Sequence, residues 1–145
     1  MSDAARDSGQ HADRRVGIVL VSHSAAVAES VAALARGLAS GGGTAPVAPA
    51  GGTADGGLGT SSDLVAAAAH RVDRGAGVAV LADLGSAVLT VKALIAEGDE
   101  LPAPIRLVDA PFVEGAVAAV VAASAGADLT AVAAAAEEAY GYRKA

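Results

Sequence analysis

The amino-acid sequence predicts a doubly wound α/β domain, a mainly parallel sheet with helices on both faces. Two short runs, VGIVLV at Val16 to Val21 and GVAVLAD ending at Asp83, are almost continuously apolar and rich in β-branched residues, the pattern of strands buried on both sides. Each run stops abruptly and gives way to apolar residues at helical spacing. Strand-like and helix-like segments then alternate to the end of the chain, and such alternation winds into a parallel sheet through crossover helices.

Each element has its own signal. Met1 to Arg14 lacks periodicity and is rich in Asp, Arg, Ser and Gly, so residues 1–14 are expected to be a disordered extension beside one domain at 15–145. After the first strand and the turn Ser22, His23, Ser24, a helix is predicted from about Ala25 to Ser40. Val27, Val31, Leu34 and Leu38 would face the sheet, and Gly41, Gly42 and Gly43 would end the helix. Thr44 to Ala50 reads as a weak strand, and Pro46 and Pro49, which lack a ladder donor, suit an edge position. The segment GGTADGGLGTSS at 51–62 is aperiodic and glycine-rich. It is expected to be a flexible connection and a candidate active-site loop.

Asp63 to Arg74 carries Val65, Ala68, Ala69 and Val72 on one face of a predicted helix. The second strong strand follows and ends at Asp83. Gly85 and Ser86 form the next turn, with Ser86 placed to cap a helix that turns Val88, Val91, Leu94 and Ile95 inward and stops at Gly98. A third strand spans Ile105 to Val108, between Pro104 and Pro111. Helices over about Val113 to Ala125 and Leu129 to Tyr140, the latter capped by Asp128, close the chain.

Composition narrows the function. The chain is 53% hydrophobic with one Phe, two Tyr and no Trp, so its core is built from Val, Leu, Ile and Ala. A net charge of -6 without a basic run in the folded part leaves no footprint for a nucleic-acid backbone. The absence of cysteine excludes disulfides, thiolate metal sites and a cysteine nucleophile. Val16 to Val21 is too short for a signal-peptide core, and Gly115 to Ala127 falls short of the ~20 residues that cross a bilayer. A soluble, cytoplasmic protein without membrane insertion is expected.

The topology gives two residues a chemical meaning. In open α/β sheets ligands collect outside the carboxyl ends of the strands, where strand order reverses. His23 and Asp83 stand at such ends, each just before a helix whose first N–H groups and dipole favour an anion. Neutral imidazole attacks phosphorus through one ring nitrogen, while a carboxylate on the other fixes the tautomer. His23 is therefore the candidate phosphoryl acceptor and Asp83 its carboxylate. Ser24, Gly85, Ser86 and Thr60 are candidate donors to the phosphoryl oxygens, and no metal is required at His23. By residue type alone, a histidine before a helix serves equally well as a cap, and an aspartate at a strand end as a turn former. His11, in the polar tail, and His70, opposite the apolar face of its helix, are expected to be solvated bystanders.

Three segments carry a family resemblance. VGIVLVSHSAAVAESVAALA resembles the amino-terminal strand and phosphorylatable-histidine turn of the DhaM subunits of dihydroxyacetone kinases that depend on the phosphotransferase system (PTS). LADLGSAVLTVKALI and APFVEGAVAAVVAASAGAD resemble the second and third signatures of that family. With the GLGTSSD loop they cover nearly all of Val16 to about Ala139 in the expected order. The resemblance implies a mannose-type EIIA fold in which His23 takes phosphate from the carrier HPr and passes it to ADP held on DhaL. DhaL in turn phosphorylates dihydroxyacetone bound by DhaK. It further implies that Asp83 orients the histidine, that Ser86 lies near a phosphate-contacting serine, and that the protein is a homodimer. No cofactor is permanently bound; phosphate rides on His23, and ADP or ATP and magnesium stay with the partner subunit. Many DhaM chains continue into HPr-like and enzyme-I-like domains, whereas this chain stops at Ala145, which fits either separate partner proteins or a truncated chain.

Other readings differ by identifiable features. A mannose-type EIIA component of a sugar importer would use the same His23 chemistry but deliver phosphate to an EIIB domain; LGSAVLTVKALI and VEGAVAA favour the kinase branch. A noncatalytic receiver-like signalling module needs an acidic pair after the first strand, where this chain has Ser22, His23 and Ser24. A serine hydrolase would want a G-x-S-x-G turn, which VSHSA is not, and no G-x-G-x-x-G follows a strong strand as dinucleotide binding requires.

Overall fold

A computed structural model describes residues 14–39 and 43–145. Four strands, β1 (Gly17–Ser22), β2 (Val47–Gly51), β3 (Val78–Ala82) and β4 (Ile105–Leu107), alternate with five helices. These are α1 (Ala25–Leu38), α2 (Ser62–Val72), α3 (Gly85–Glu97), α4 (Phe112–Ser124) and α5 (Leu129–Glu138), and a short 3₁₀ turn at Ala139–Gly141 follows. The sheet order is β2-β1-β3-β4 and every pairing is parallel. This is the predicted doubly wound α/β architecture. The order reverses between β1 and β3, so the carboxyl ends of those two strands flank the switch point.

Side-chain alternation explains why both faces of the sheet are covered. On one face Ile18, Leu20, Ala79 and Leu81 pack with Ala32 and Ala35 of α1, Ala116, Ala119 and Val120 of α4, and Val132 and Ala136 of α5. On the other, Val19, Val21, Val78 and Val80 meet Val65, Ala69 and Val72 of α2 and Ala87, Val91 and Leu94 of α3. Ile18, Leu20 and Leu81 are fully buried, each stabilising the fold by roughly 1.5–3 kcal/mol relative to exposure. β2 lies at the sheet edge, as its prolines predict.

Several local expectations are corrected. Of the four residues expected to turn α1 toward the sheet, Val31 is buried, whereas Val27, Leu34 and Leu38 are exposed. The buried stripe is Ala28, Val31, Ala32 and Ala35, because methyl-sized side chains let the helix approach a sheet whose own Ile and Leu fill the space between. α1 ends at Leu38 with the Ala39 N–H donating to the carbonyls of Ala35 and Arg36; the expected stop at Gly41 and Gly42 lies outside the described residues, as do Met1 to Asp13 of the expected extension. α2 starts one residue early, capped by the Ser61 hydroxyl. Ser86 is not a cap. Leu84 holds that position, Ser86 lies inside the first turn of α3, and no side chain caps this helix. Val91 and Leu94 are buried as expected, with Val88 and Ile95 partly so. Among the described residues no helix is long and apolar enough to cross a membrane.

Candidate active site

β1 and β3 are hydrogen-bonded neighbours, so their ends carry His23 and Asp83 to one point. The Asp83 N–H donates to the Val21 carbonyl at 3.0 Å, extending the ladder one residue past β3 and fixing where the carboxylate leaves the sheet. Asp83 Oδ1 lies 2.9 Å from His23 Nδ1 and accepts the Leu84 N–H at 2.7 Å. Its Oδ2 accepts the Ser22 hydroxyl at 2.8 Å and the His23 N–H at 3.1 Å. An ionised carboxylate only accepts, so Nδ1 carries a proton and, in the neutral ring, Nε2 carries the lone pair. The Ser86 hydroxyl sits against Nε2 and donates to it.

The charge state of Asp83 follows from these contacts. Partial burial opposes ionisation. Against it stand the bonds from the His23 ring, the Ser22 hydroxyl and the His23 and Leu84 N–H groups, which together hold the carboxyl below the ordinary aspartate range. The side chains of His23 and Asp83 are 24% and 16% exposed, so the ring edge reaches solvent while the carboxylate stays mostly sheltered.

The other expected site residues divide. Ser86 and Gly85 lie at the uncapped start of α3, whose first N–H groups have no intrahelical acceptor by helix geometry. A Cβ on Gly85 would meet nothing within 4 Å, so nothing inside the chain demands a glycine there. Ser24, by contrast, caps α1, its hydroxyl accepting the Val27 N–H at 3.3 Å. The Thr60 hydroxyl is buried without a hydrogen-bond partner, so no hydrogen bond joins it to His23. His70 is exposed and its Nε2 meets the Glu100 carbonyl at 2.7 Å, away from the site. His11 lies outside the described residues.

The loop at 51–62 borders the site, but its backbone is pinned. The Gly59 N–H donates to the His23 carbonyl at 2.9 Å and the Gly52 N–H to the Ser22 carbonyl at 3.0 Å, while Gly52 and Thr60 form a parallel bridge. Its tip is a turn in which the Thr53 N–H reaches the Gly57 carbonyl and Asp55 accepts from the Thr53 hydroxyl and the Gly57 N–H. Those two bonds outweigh the slight desolvation of Asp55 and lower its pKa. Gly51 explains the close fit: a Cβ there would stand 2.5 Å from the Ser24 carbonyl oxygen, so only glycine lets the loop press against the start of α1.

Sequence reasoning passed over Ser22 and the far side of Asp83. The available signal for Ser22 was a hydroxyl at the last position of an otherwise apolar buried strand. Beyond Asp83 a cavity of about 390 Å³ is lined by residues including Leu84, Gly85, Lys92, Asp109 and Tyr140. The Tyr140 hydroxyl donates to Asp109 at 2.7 Å, and that bond and the adjacent carboxylate push the phenol pKa up.

The EIIA-man family, described as the PTS system fructose IIA component, matches residues 17–133. The chain belongs to the EIIA-man family. The phosphoryl donor subunit DhaM of the PEP-dependent dihydroxyacetone kinase of Escherichia coli (strain K12) is 38% identical over 117 residues, which are 79% of this chain and 25% of that protein. The corresponding Pantoea ananatis subunit is 39% identical over 119 residues, 81% of this chain and 25% of its own length. This chain thus spans about a quarter of each. A shorter relative, subunit DhaM of PEP-dependent dihydroxyacetone kinase 2 of Listeria innocua serovar 6a, is 34% identical over 107 residues, covering 73% of this chain and 84% of that one. A crystal structure of the unknown function protein EF1359 superposes with a TM-score of 0.77 at 32% identity, covering 90% of this chain and 98% of that chain. The EIIA-man fold expected from the sequence is therefore the fold observed.

Proposed function

We propose that this EIIA-man chain is the cytoplasmic phosphoryl carrier of a PTS-dependent dihydroxyacetone kinase, receiving phosphate on His23 Nε2 from phospho-HPr and delivering it to ADP on a DhaL-type subunit. The observation that carries the reading is the His23–Asp83 pair at the switch point. Its Nδ1 contact of 2.9 Å leaves the Nε2 lone pair as the nucleophile, at the mouth of an uncapped helix. The names of the DhaM relatives support the dihydroxyacetone kinase branch.

In this reading the Nε2 lone pair attacks phosphorus in line. The phosphorus–nitrogen bond of the donor breaks, the donor imidazole keeps the electron pair, and a new bond forms at Nε2. Positive charge spreads over the His23 ring and is balanced by Asp83, which keeps hold of the Nδ1 proton. Ser86, displaced from Nε2, turns its hydroxyl onto a phosphoryl oxygen, joined by the free N–H groups at the start of α3. In the second half-reaction a β-phosphate oxygen of ADP attacks, Nε2 leaves as neutral imidazole, and ATP forms on the partner, whose magnesium belongs to the nucleotide. Exposed Leu58, Leu84 and Leu89, at 82%, 61% and 67%, belong to the loop and helix bordering His23 and offer apolar contacts to the donor.

The test is intact mass and fragmentation after incubation with phosphoenolpyruvate, enzyme I and HPr. One acid-labile phosphate on His23 is expected, abolished in His23→Ala and retained in His70→Ala; labelling that survives His23→Ala would move the site elsewhere. The family's description as a fructose IIA component favours a second reading, transfer to an EIIB domain of a sugar importer. Phosphorylated protein that charges EIIB and leaves ADP on DhaL untouched would establish it.

A further inference from the structure

We propose that Ser22 is a positioning residue for phosphoryl transfer, holding the Asp83 carboxylate in the plane that fixes the orientation and tautomer of the His23 ring. The inference rests on the reading of His23 as the phosphoryl acceptor. Ser22 is the one polar residue buried among the described residues, at 1% exposure. A buried hydroxyl must find partners, and both partners of this one lie in the site. It donates to Asp83 Oδ2 at 2.8 Å and accepts the Ser24 N–H at 3.1 Å. At that depth it cannot touch a phosphoryl group, so any effect on transfer must pass through Asp83.

The geometry shows what it would transmit. Rotation about the terminal torsion of an aspartate is soft, with no deep staggered wells. Oδ1 must stay on Nδ1 for the ring to present an unprotonated Nε2, and the rotation is resisted at Oδ2. Two bonds anchor Oδ2, the Ser22 hydroxyl at 2.8 Å and the His23 N–H at 3.1 Å. Removing the shorter one takes away the only hydroxyl on the carboxylate and leaves two backbone N–H groups, that of His23 on Oδ2 at 3.1 Å and that of Leu84 on Oδ1 at 2.7 Å, so Oδ2 is held by its longer bond alone and the carboxylate can tilt away from the ring. Ser22 also helps keep Asp83 ionised, since its bond is one of those favouring the charged form. The titratable groups around Asp83 are His23 from the β1–α1 turn and, across the cavity on its other side, Lys92 of α3, Asp109 beyond β4 and Tyr140 of the 3₁₀ turn.

The experiment compares the full chain with Ser22→Ala, Ser22→Thr, Asp83→Asn and the Ser22→Ala/Asp83→Asn double variant. It measures single-turnover phosphorylation by phospho-HPr across pH, the imidazole nitrogen shifts of His23 by NMR, and thermal melting. In Ser22→Ala the maximal rate is expected to fall about 10- to 100-fold, the range seen when an outer-shell partner of a metal-bound histidine is removed. The half-saturating donor concentration stays within about twofold, a difference of less than half a kcal/mol. The acid limb of the rate profile moves to higher pH, the nitrogen shifts report a mixture of ring tautomers, and threonine, which restores the hydroxyl, restores the rate. On the Asp83→Asn background the serine change adds less than about twofold, as for residues acting through one another.

An unchanged maximal rate, a loss confined to donor affinity, or an effect that multiplies with that of Asp83→Asn would each overturn the assignment. If the wild-type chain takes no phosphate from phospho-HPr, the functional reading fails by itself; the nitrogen shifts still decide whether Ser22 sets the ring, a single tautomer in Ser22→Ala refuting it. Should Ser22→Ala not fold, Ser22→Cys takes its place, keeping the volume while offering only a weak donor.

Discussion

The starts of α1 and α3 lie close to each other at the switch point and are built in opposite ways. α1 is closed by its own side chain, the Ser24 hydroxyl taking the Val27 N–H. α2 and α5 are closed likewise by Ser61 and Asp128, whereas α4, which follows Pro111, has no side-chain cap. α3 begins at Leu84 with no side-chain cap, and the serine that could have served, Ser86, stands inside the first turn with its hydroxyl on His23 Nε2. Two serines next to one histidine thus have different duties. One is committed to helix stability, whereas the other contacts the His23 ring, and in the proposed function it and the uncapped N–H groups around it meet the phosphoryl group. A helix end that goes without a cap forgoes on the order of 1 kcal/mol, and in the proposed function the phosphoryl group supplies the missing acceptor at α3.

The comparison is broken most severely through the residue just before α3. Asp83→Asn keeps the shape but puts an amide donor among groups that are themselves donors, the His23 ring, the Ser22 hydroxyl and two N–H groups. Transfer from phospho-HPr should slow by about two to four orders of magnitude, as when a catalytic histidine loses its orienting carboxylate. A near-normal rate in rapid-quench measurement would deprive Asp83 of its part. The stability difference between wild type and this variant should also depend on pH. Because the folded pKa of Asp83 is depressed, the carboxylate's contribution is complete above the ordinary aspartate range and is lost as pH falls through the lowered value. Urea unfolding at pH 7 and again near pH 3, roughly spanning that range, should show the gap between the two proteins closing.

What the sequence made legible follows the same division between rigid scaffold and local choice. The buried runs ending at Ser22 and Asp83 announced β1 and β3, because strands covered on both faces leave no polar residue to confuse the pattern. His23 and Asp83 could be paired as candidates because each ends a strong strand just before a helix; that those strands are neighbours is set by the strand order, which no residue type states. The sheet-facing side of α1 could not be read from its larger apolar residues. In an alanine-rich helix both faces are apolar, and Ala28, Ala32 and Ala35 won the sheet because they allow closer approach. Which serine caps and which serves depends on one residue of helix register, and Leu84 rather than Ser86 took the cap position. The loop at 51–62 looked flexible by composition; its bonds to the Ser22 and His23 carbonyls are backbone contacts that no residue type advertises.

Ser86→Ala sharpens the comparison from the open side. The hydroxyl leaves one contact with Nε2 and an exposed helical position that alanine fills well, so folding stability should change by no more than about 0.5 kcal/mol. Transfer is expected to slow about 10- to 100-fold, below the loss of one oxyanion donor in a tighter site, because the start of α3 keeps its backbone donors. The reverse pattern, lower stability with an intact rate, would make Ser86 an ordinary surface residue.

Ser24→Ala tests the closed side and should give the smallest effect on transfer. Its hydroxyl is committed to the Val27 N–H, so deletion frees one helix-end donor and costs about 1 kcal/mol, seen as a melting point lower by a few degrees. The backbone N–H of Ser24 still reaches Ser22, and neither His23 nor Asp83 loses a contact to the deleted oxygen. The phosphorylation rate should therefore stay within about twofold, equivalent to less than half a kcal/mol in the barrier. Stopped-flow transfer and thermal melting on the same samples separate the two effects. A rate loss as large as that of Ser86→Ala would mean that the serine leaves its cap to meet the phosphoryl group, and the distinction between the two helix starts would fall.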